Sequence, residues 1–147
     1  MTALVDYNII FLDKSWYWLN DPEIKALTMT PDFTKKDQDF FFKSLAQKKD
    51  YWIKGITENN FPIGAMGLKH INTQTAEYWG YIGEKKYWGK GIGSFMIEQA
   101  INKARELNLD EIYLMVGKQN NKAKELYLKK GFRLGVAADT EKYFLQL

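Results

Sequence analysis

The chain has no cysteine, so it offers neither a disulfide framework nor a thiol nucleophile. Histidine occurs once, at His70, which excludes a multi-histidine metal site, and no metal is expected. No apolar run approaches the roughly 18 residues of a membrane span, and no positively charged, apolar leader opens the sequence. The net charge is only +3, with Lys and Glu evenly mixed. A nucleic-acid binder would show a stronger basic stripe. These absences point to a soluble protein of a reducing compartment, expected to be cytoplasmic, with neither membrane nor nucleic acid as partner.

What is present fits a single enzyme-sized domain spanning 1–147. The 147 residues, 46% of them hydrophobic, suffice for one real core. Aromatic residues reach 16%, more than a core alone needs, which hints at a lined pocket or a subunit contact.

The apolar, β-branched run Tyr7 to Leu12 (YNIIFL) reads as a strand. Helical pieces follow, with Ser15 as an N-cap and Pro22 as a first helical residue after Asp21. Thr34 to Gln47 reads as a helix opened by a Thr34–Asp37 capping box, its apolar side (Phe40, Phe41, Leu45) packing on a sheet. Residues 51–56, Pro62 to Ile71 and Ala76 to Gly83 are strands separated by turns at Asn59-Asn60 and Asn72 to Thr75, an antiparallel meander. Ile92, Met96, Ala100, Ala104 and Leu107 recur at helical spacing, so Ile92 to Leu107 is an amphipathic helix. A strand over Glu111 to Val116, a helix over Asn120 to Lys130 closed by Gly131, and strands over Phe132 to Val136 and Lys142 to Leu147 complete the chain. The order predicts a mixed α/β sheet with helices on both faces.

Two motifs stand out. The first is YWGKGIGSFM, Tyr87 to Met96, where Gly89, Gly91 and Gly93 lie between a strand and a helix. A helix N-terminus presents unpaired N–H groups and roughly half a positive charge, and glycines let an anion approach the backbone. Lys90 adds a cation. The segment lacks the GK[ST] ending of a P-loop and is not spaced as G-x-G-x-x-G, so a plain turn remains the alternative. The second motif is Asn120, Ala123, Tyr127, Gly131 and Phe132. Asn120 either caps its helix or presents its amide to a ligand, and Tyr127 lies two turns on along the same face.

Together the two motifs resemble the GNAT superfamily of acetyl-CoA-dependent N-acetyltransferases. Strand order carries the likeness over nearly the whole chain, and the specific motifs lie within Ala76 to Phe132. The family's pyrophosphate loop reads R/Q-x-x-G-x-G/A. Gly91 and Gly93 match it, while Trp88 stands where Arg or Gln is usual. The resemblance implies a mostly antiparallel sheet of about seven strands whose middle strands splay, with Glu111 to Val116 as the second splayed strand. It implies that Gly89, Lys90, Gly91, Ile92, Gly93 and Ser94 cradle the pyrophosphate of coenzyme A. It also implies that backbone at Tyr81, Ile82 and Gly83 pairs with the pantetheine arm as an added strand would, and that Asn120 and Tyr127 belong to the coenzyme site.

For the chemistry, the resemblance implies direct attack of a primary amine on acetyl-CoA, with Tyr127 protonating the departing sulfur and a backbone N–H near Ile82 holding the carbonyl oxygen. Some relatives place a glutamate base at the position of Met115, which this chain lacks. Glu77 is the better candidate, against the plainer reading of a surface carboxylate paired with a lysine. His70 is a second candidate, and a water chain could replace both. The acceptor site is assigned to the N-terminal half, where Trp16, Trp18, Trp52, Trp79 and Tyr81 either line a cleft or fill the core. Text such as W-x-N-x-P, T…FFKSL and PIG is similar to amino-sugar nucleotide acetyltransferases, and AEYWGYIG is similar to the ribosomal-protein N-terminal branch. A small-molecule amine is the expected acceptor. A protein N-terminus, a non-catalytic acyl-CoA sensor and a toxin acting on charged tRNA are the alternatives. The terminal strand from Tyr143 either completes the sheet or pairs with a second copy in a homodimer.

Overall fold

In the computed structural model, which describes residues Met1–Leu147, the strands are β1 Thr2–Asp6, β2 Trp52–Glu58, β3 Phe61–Lys69, β4 Thr75–Ile82, β5 Glu111–Gly117, β6 Arg133–Val136 and β7 Thr140–Gln146. The helices are α1 Ile9–Asn20, α2 Pro22–Leu27, α3 Lys35–Ser44, α4 Ile92–Glu106 and α5 Asn121–Lys129. One seven-stranded sheet has the order β1-β2-β3-β4-β5-β7-β6, and every neighbouring pair is antiparallel except β4–β5. The expected mixed, mostly antiparallel sheet is therefore present. The C-terminal segment sits between β5 and β6, so it completes the sheet within the chain. No helix is long and apolar enough to cross a membrane.

One expected strand is a helix. YNIIFL does not continue as a strand: the extended segment is Thr2–Asp6, and α1 begins at Ile9. The cap is Asn8, whose side chain accepts from the Ile10 N–H at 2.9 Å. Ser15 lies inside the helix, its hydroxyl donating to the Leu12 carbonyl at 2.6 Å. The physical reason is tertiary. Helical spacing buries Phe11, Leu12, Ser15 and Trp18 on one side, and the Phe11 ring lies where a side chain at Gly55 would otherwise stand. That burial overrides the β-branched local preference.

Asp21 caps α2 ahead of Pro22, as expected, and the Thr34–Asp37 capping box is made in both directions, at 3.1 and 2.8 Å. The face of α3 is not as expected. None of its residues is buried and Phe40 is 77% exposed, so the helix skirts the sheet rather than packing flat on it. Asn59 and Asn60 take positive φ (49° and 71°) in the tight β2–β3 turn. The apolar stripe of α4, including Met96, Ile97, Ala100 and Ala104, packs on the sheet face that carries Met66, Leu68 and Tyr78. The opposite face is covered by α1, through Phe11 on Gly55 and Trp18 on Gly83.

Candidate active site

The site begins where two strands part. β4 and β5 pair in parallel at Thr75↔Glu111, Ala76↔Ile112 and Glu77↔Tyr113 and no further. Yet β4 runs on to Ile82 and β5 to Gly117. The gap opens into a cavity of about 1200 Å³, bordered by β4, β5, the glycine loop and α5.

Past Glu77, β4 has an open edge, and its register says which groups lie there. β3 and β4 pair antiparallel from Gly64↔Ile82 to Lys69↔Glu77, and the Gly83 N–H donates to the Ile63 carbonyl at 2.7 Å. Hydrogen-bonding direction alternates along a strand. Tyr81 and Trp79 therefore turn their backbone groups to β3, as Gly83 does, while Ile82, Gly80 and Tyr78 turn theirs to the gap. Of Tyr81, Ile82 and Gly83, the register leaves only Ile82 free for an added strand, and Gly80 joins it. Gly83 has a packing role: a methyl there would fall 2.2 Å from the Trp18 ring.

The glycine loop borders the same gap through Gly89, Gly91, Gly93 and Ser94. Gly89 and Gly91 have φ of 73° and 80°, and nothing lies within 4 Å of a methyl built on either. Gly91 is the N-cap of α4 and supplies no side chain, and the first turn carries no acidic residue. The other four α-helices each have a side-chain cap. The first N–H groups of α4 thus remain available to an anion. Ile92 is buried and Lys90 lies outside the cavity lining. These features fit the pyrophosphate of a coenzyme A molecule.

Trp88, which departs from the family pattern, has a definite structural task. Its indole N–H donates to the Ile82 carbonyl at 2.9 Å. That carbonyl is one of the open-edge groups, so Trp88 ties the loop to the end of β4 and satisfies it. Lys85 lies 5.8 Å from the Trp88 ring centroid and is paired to Asp21 (2.9 Å) and Glu23 (3.0 Å), joining the start of α2 to the loop.

Tyr127 projects from α5 into the gap and meets Tyr78 edge-on, with ring centroids 6.4 Å apart. Burial pushes the Tyr127 phenol up to about 12, so it carries its proton at neutral pH. The Asn120 side chain caps α5, accepting from the Ala123 N–H at 3.4 Å, and the residue also borders the cavity. Glu77 borders the cavity on the sheet face opposite α4 and is 14% exposed, with Lys69 at 3.7 Å and His70 at 3.8 Å. His70 itself is 64% exposed, in a left-handed conformation (φ 55°) at the end of β3 and outside the cavity lining. Tyr127 and Glu77 thus border one cavity from two elements.

The cavity has an aromatic wall on the side away from α4. Phe41, Tyr51, Trp79 and Tyr81 follow one another at centroid spacings of 6.0, 6.2 and 6.4 Å, and Tyr7 borders the same space. Burial raises the phenols of Tyr7, Tyr51 and Tyr81, so all three remain neutral. Of the five aromatics expected on this side, only Trp79 and Tyr81 border the cavity. Trp18 is core (5% exposed), Trp16 stacks edge-on against Phe33, and Trp52 packs against the main core. Sequence reasoning missed Tyr7, Phe41, Tyr51 and Tyr78. For Tyr78 a signal existed, namely its two-residue spacing from Gly80 and Ile82 on one strand.

A seven-stranded sheet with one parted parallel pair beside a glycine-opened, uncapped helix defines an acyltransferase fold. The family model described as Acetyltransferase (GNAT) family matches residues 14–132, and the chain belongs to that family. Among curated relatives, GCN5-related N-acetyltransferase 6, chloroplastic, of Arabidopsis thaliana is 30% identical over 88 residues, 57% of this chain and 31% of that protein. N-alpha-acetyltransferase 30 of Saccharomyces cerevisiae is 36% identical over 77 residues, 50% of this chain and 44% of that protein. The chain spans less than half the length of either relative. Among solved structures, the spermidine N-acetyltransferase of Vibrio cholerae in complex with CoA and spermine has a TM-score of 0.89 at 20% identity, covering 99% of this chain and 95% of that one. Campylobacter jejuni N-acetyltransferase PseH in complex with acetyl coenzyme A has a TM-score of 0.74 at 20% identity, covering 99% of each chain. These likenesses extend the shared fold over nearly all of the chain.

Proposed function

We propose that the chain transfers an acetyl group from acetyl-CoA to the primary amine of a small molecule with a ring that stacks, such as an amino-sugar nucleotide. The parted β4–β5 pair carries this reading, because it offers open backbone groups, an uncapped helix terminus and a protonated phenol in one cavity. The Gly91 to Ser94 backbone holds the pyrophosphate, and the open-edge groups of Gly80 and Ile82 hold the pantetheine arm and the carbonyl oxygen. Acetyl-CoA supplies the activated thioester. The amine nitrogen forms the new C–N bond, the C–S bond breaks, its electron pair goes to sulfur, and Tyr127 delivers the proton there. Glu77 takes the proton that the amine loses, directly or through water. Holding both reactants in one cavity supplies much of the rate.

The aromatic wall favours a stacking acceptor. The carboxylates bordering the cavity are already engaged: Glu23 with Lys85, Asp37 in its capping box and Glu77 with Lys69. A polycation would need free ones. The yeast relative's name keeps a peptide N-terminus as the second reading. A panel of amino-sugar nucleotides, polyamines and peptides, read by free-thiol release, tests the choice, and a signal from peptides alone would sink the sugar reading. Tyr127→Phe separates enzyme from sensor. It is expected to lose kcat by about 10²-fold or more while still binding acetyl-CoA. Unchanged turnover would remove Tyr127 as the acid.

A further inference from the structure

Tyr78 is unexplained by the roles above. It is 4% exposed, yet it borders the cavity. No protein hydrogen bond engages its hydroxyl, and burial holds the phenol well above its ordinary range, so it stays a neutral O–H. Trp79 Nε1 is the fully buried side-chain polar atom that lacks a partner, whereas the Tyr78 hydroxyl keeps some surface on the cavity side, and its direction is informative. The Tyr78 ring lies along β4 toward Gly80, so that a methyl on Gly80 would fall 2.6 Å from the hydroxyl oxygen and 2.8 Å from Met96 Cε. Glycine at 80 is what allows the hydroxyl to lie there. Gly80 is also a residue whose backbone faces the gap, and the Tyr127 ring meets Tyr78 at 6.4 Å from the other side. Two phenols from two elements thus converge where β4 and β5 part.

The geometry points to Tyr78 as a second hydroxyl donor at the reaction centre, hydrogen-bonding the thioester carbonyl oxygen beside the open-edge N–H groups of β4. This inference rests on the proposal that the β4 edge receives acetyl-CoA. The division of labour follows from position. Tyr127 gives its proton to the departing sulfur. Tyr78 neither gains nor loses one: it donates to the oxygen as charge builds there and strengthens that bond as the C–N bond forms. Phenol and backbone amide together make a two-donor pocket for the oxyanion.

The test compares acetyl-CoA with S-ethyl-CoA, a thioether that keeps every group except the carbonyl oxygen. Wild type is expected to bind acetyl-CoA several-fold more tightly than S-ethyl-CoA by calorimetry. Tyr78→Phe is expected to shrink that preference to what the backbone N–H alone supplies, to leave S-ethyl-CoA affinity unchanged and to lower kcat by roughly 10²-fold. Tyr127→Phe should keep the preference. If Tyr78→Phe keeps it in full, or weakens both ligands equally, Tyr78 is structural and the inference is overturned while the donor site stands. If wild type binds neither ligand, the donor site and Tyr78 fall together. Should Tyr78→Phe not fold, Tyr78→Met, which also lacks the hydroxyl and fills the same core space, carries the same expectation.

Discussion

Replacing Trp88 by Phe keeps a flat ring near Lys85, trims the second ring of the indole, and removes the N–H that reaches the Ile82 carbonyl at 2.9 Å. The bond is partly buried, and a net hydrogen bond of this kind contributes about 1 kcal/mol. For a domain of this size that corresponds to a melting temperature lower by roughly 2–4 °C. The same bond ties the glycine loop to the open edge of β4, and freeing the loop adds ordering cost to ligand binding. If most of that ~1 kcal/mol is recovered on binding, acetyl-CoA affinity falls about fivefold. Thermal melts and calorimetric titration with acetyl-CoA, together with steady-state kinetics, separate the effects: KM for acetyl-CoA should rise while kcat stays within about twofold of wild type. A variant that melts and binds as wild type would refute the claim that this residue supports the loop. A variant that loses kcat with KM unchanged would move Trp88 into the chemistry.

Two glycines should respond unequally to the same change. Gly83→Ala forces a methyl to 2.2 Å from the Trp18 ring and should destabilise by about 3 kcal/mol or more, read by melting. Gly91→Ala meets open space but must hold φ near 80°, so about 1 kcal/mol of stability is lost, with a larger loss of acetyl-CoA affinity. Equal melts for the two variants would contradict both assignments. Alkali gives a further test. Folded-state values raised above the ordinary one mean that stability is fully present below pH ~10 and is lost as pH rises toward 12. Tyr127, pushed up to about 12, contributes roughly 2–3 kcal/mol to that loss, and Tyr7, Tyr51, Tyr78 and Tyr81 act in the same direction. The phenolate absorbance of these five tyrosines should therefore appear together with unfolding rather than before it, and Tyr127→Phe should shift the base transition upward.

What was legible in the sequence is what is local. The α4 stripe as far as Ala104, the Thr34–Asp37 box, the Asn59-Asn60 turn and the glycine loop are each decided by residues a few positions apart and stand where the pattern placed them, while Leu107, expected to end the stripe, is the exposed C-cap of α4. YNIIFL was misleading because its fate depends on Gly55, more than 40 residues away, which leaves room for the Phe11 ring. The aromatic wall was hidden for the same reason. Phe41, Tyr51 and Trp79 come from α3, the approach to β2 and β4, and only the fold lines them up. Trp88 lacks the family's polar side chain, yet its indole N–H supplies a donor to the Ile82 carbonyl.

The deepest part of the site rests on alternation along one strand. Glu77, Trp79 and Tyr81 place side chains toward the aromatic wall and spend their backbone groups on β3. Tyr78 and Ile82 place side chains toward α4, Gly80 faces it without one, and all three leave their backbone groups in the gap. Period-two alternation couples the two assignments, since a strand's side-chain direction and its hydrogen-bonding direction switch together. A one-residue slip of β4 against β3 would send the aromatic wall into the α4 core and give Glu77 and Tyr81 the open edge. Register here therefore specifies the site as well as the fold. It is held at one end by Gly83 under Trp18, with its N–H on Ile63, and at the other by the Asn72 turn, whose side chain accepts from the Gln74 and Thr75 N–H groups at 2.8 Å each. Neither end touches the cavity, yet both fix which residues reach it.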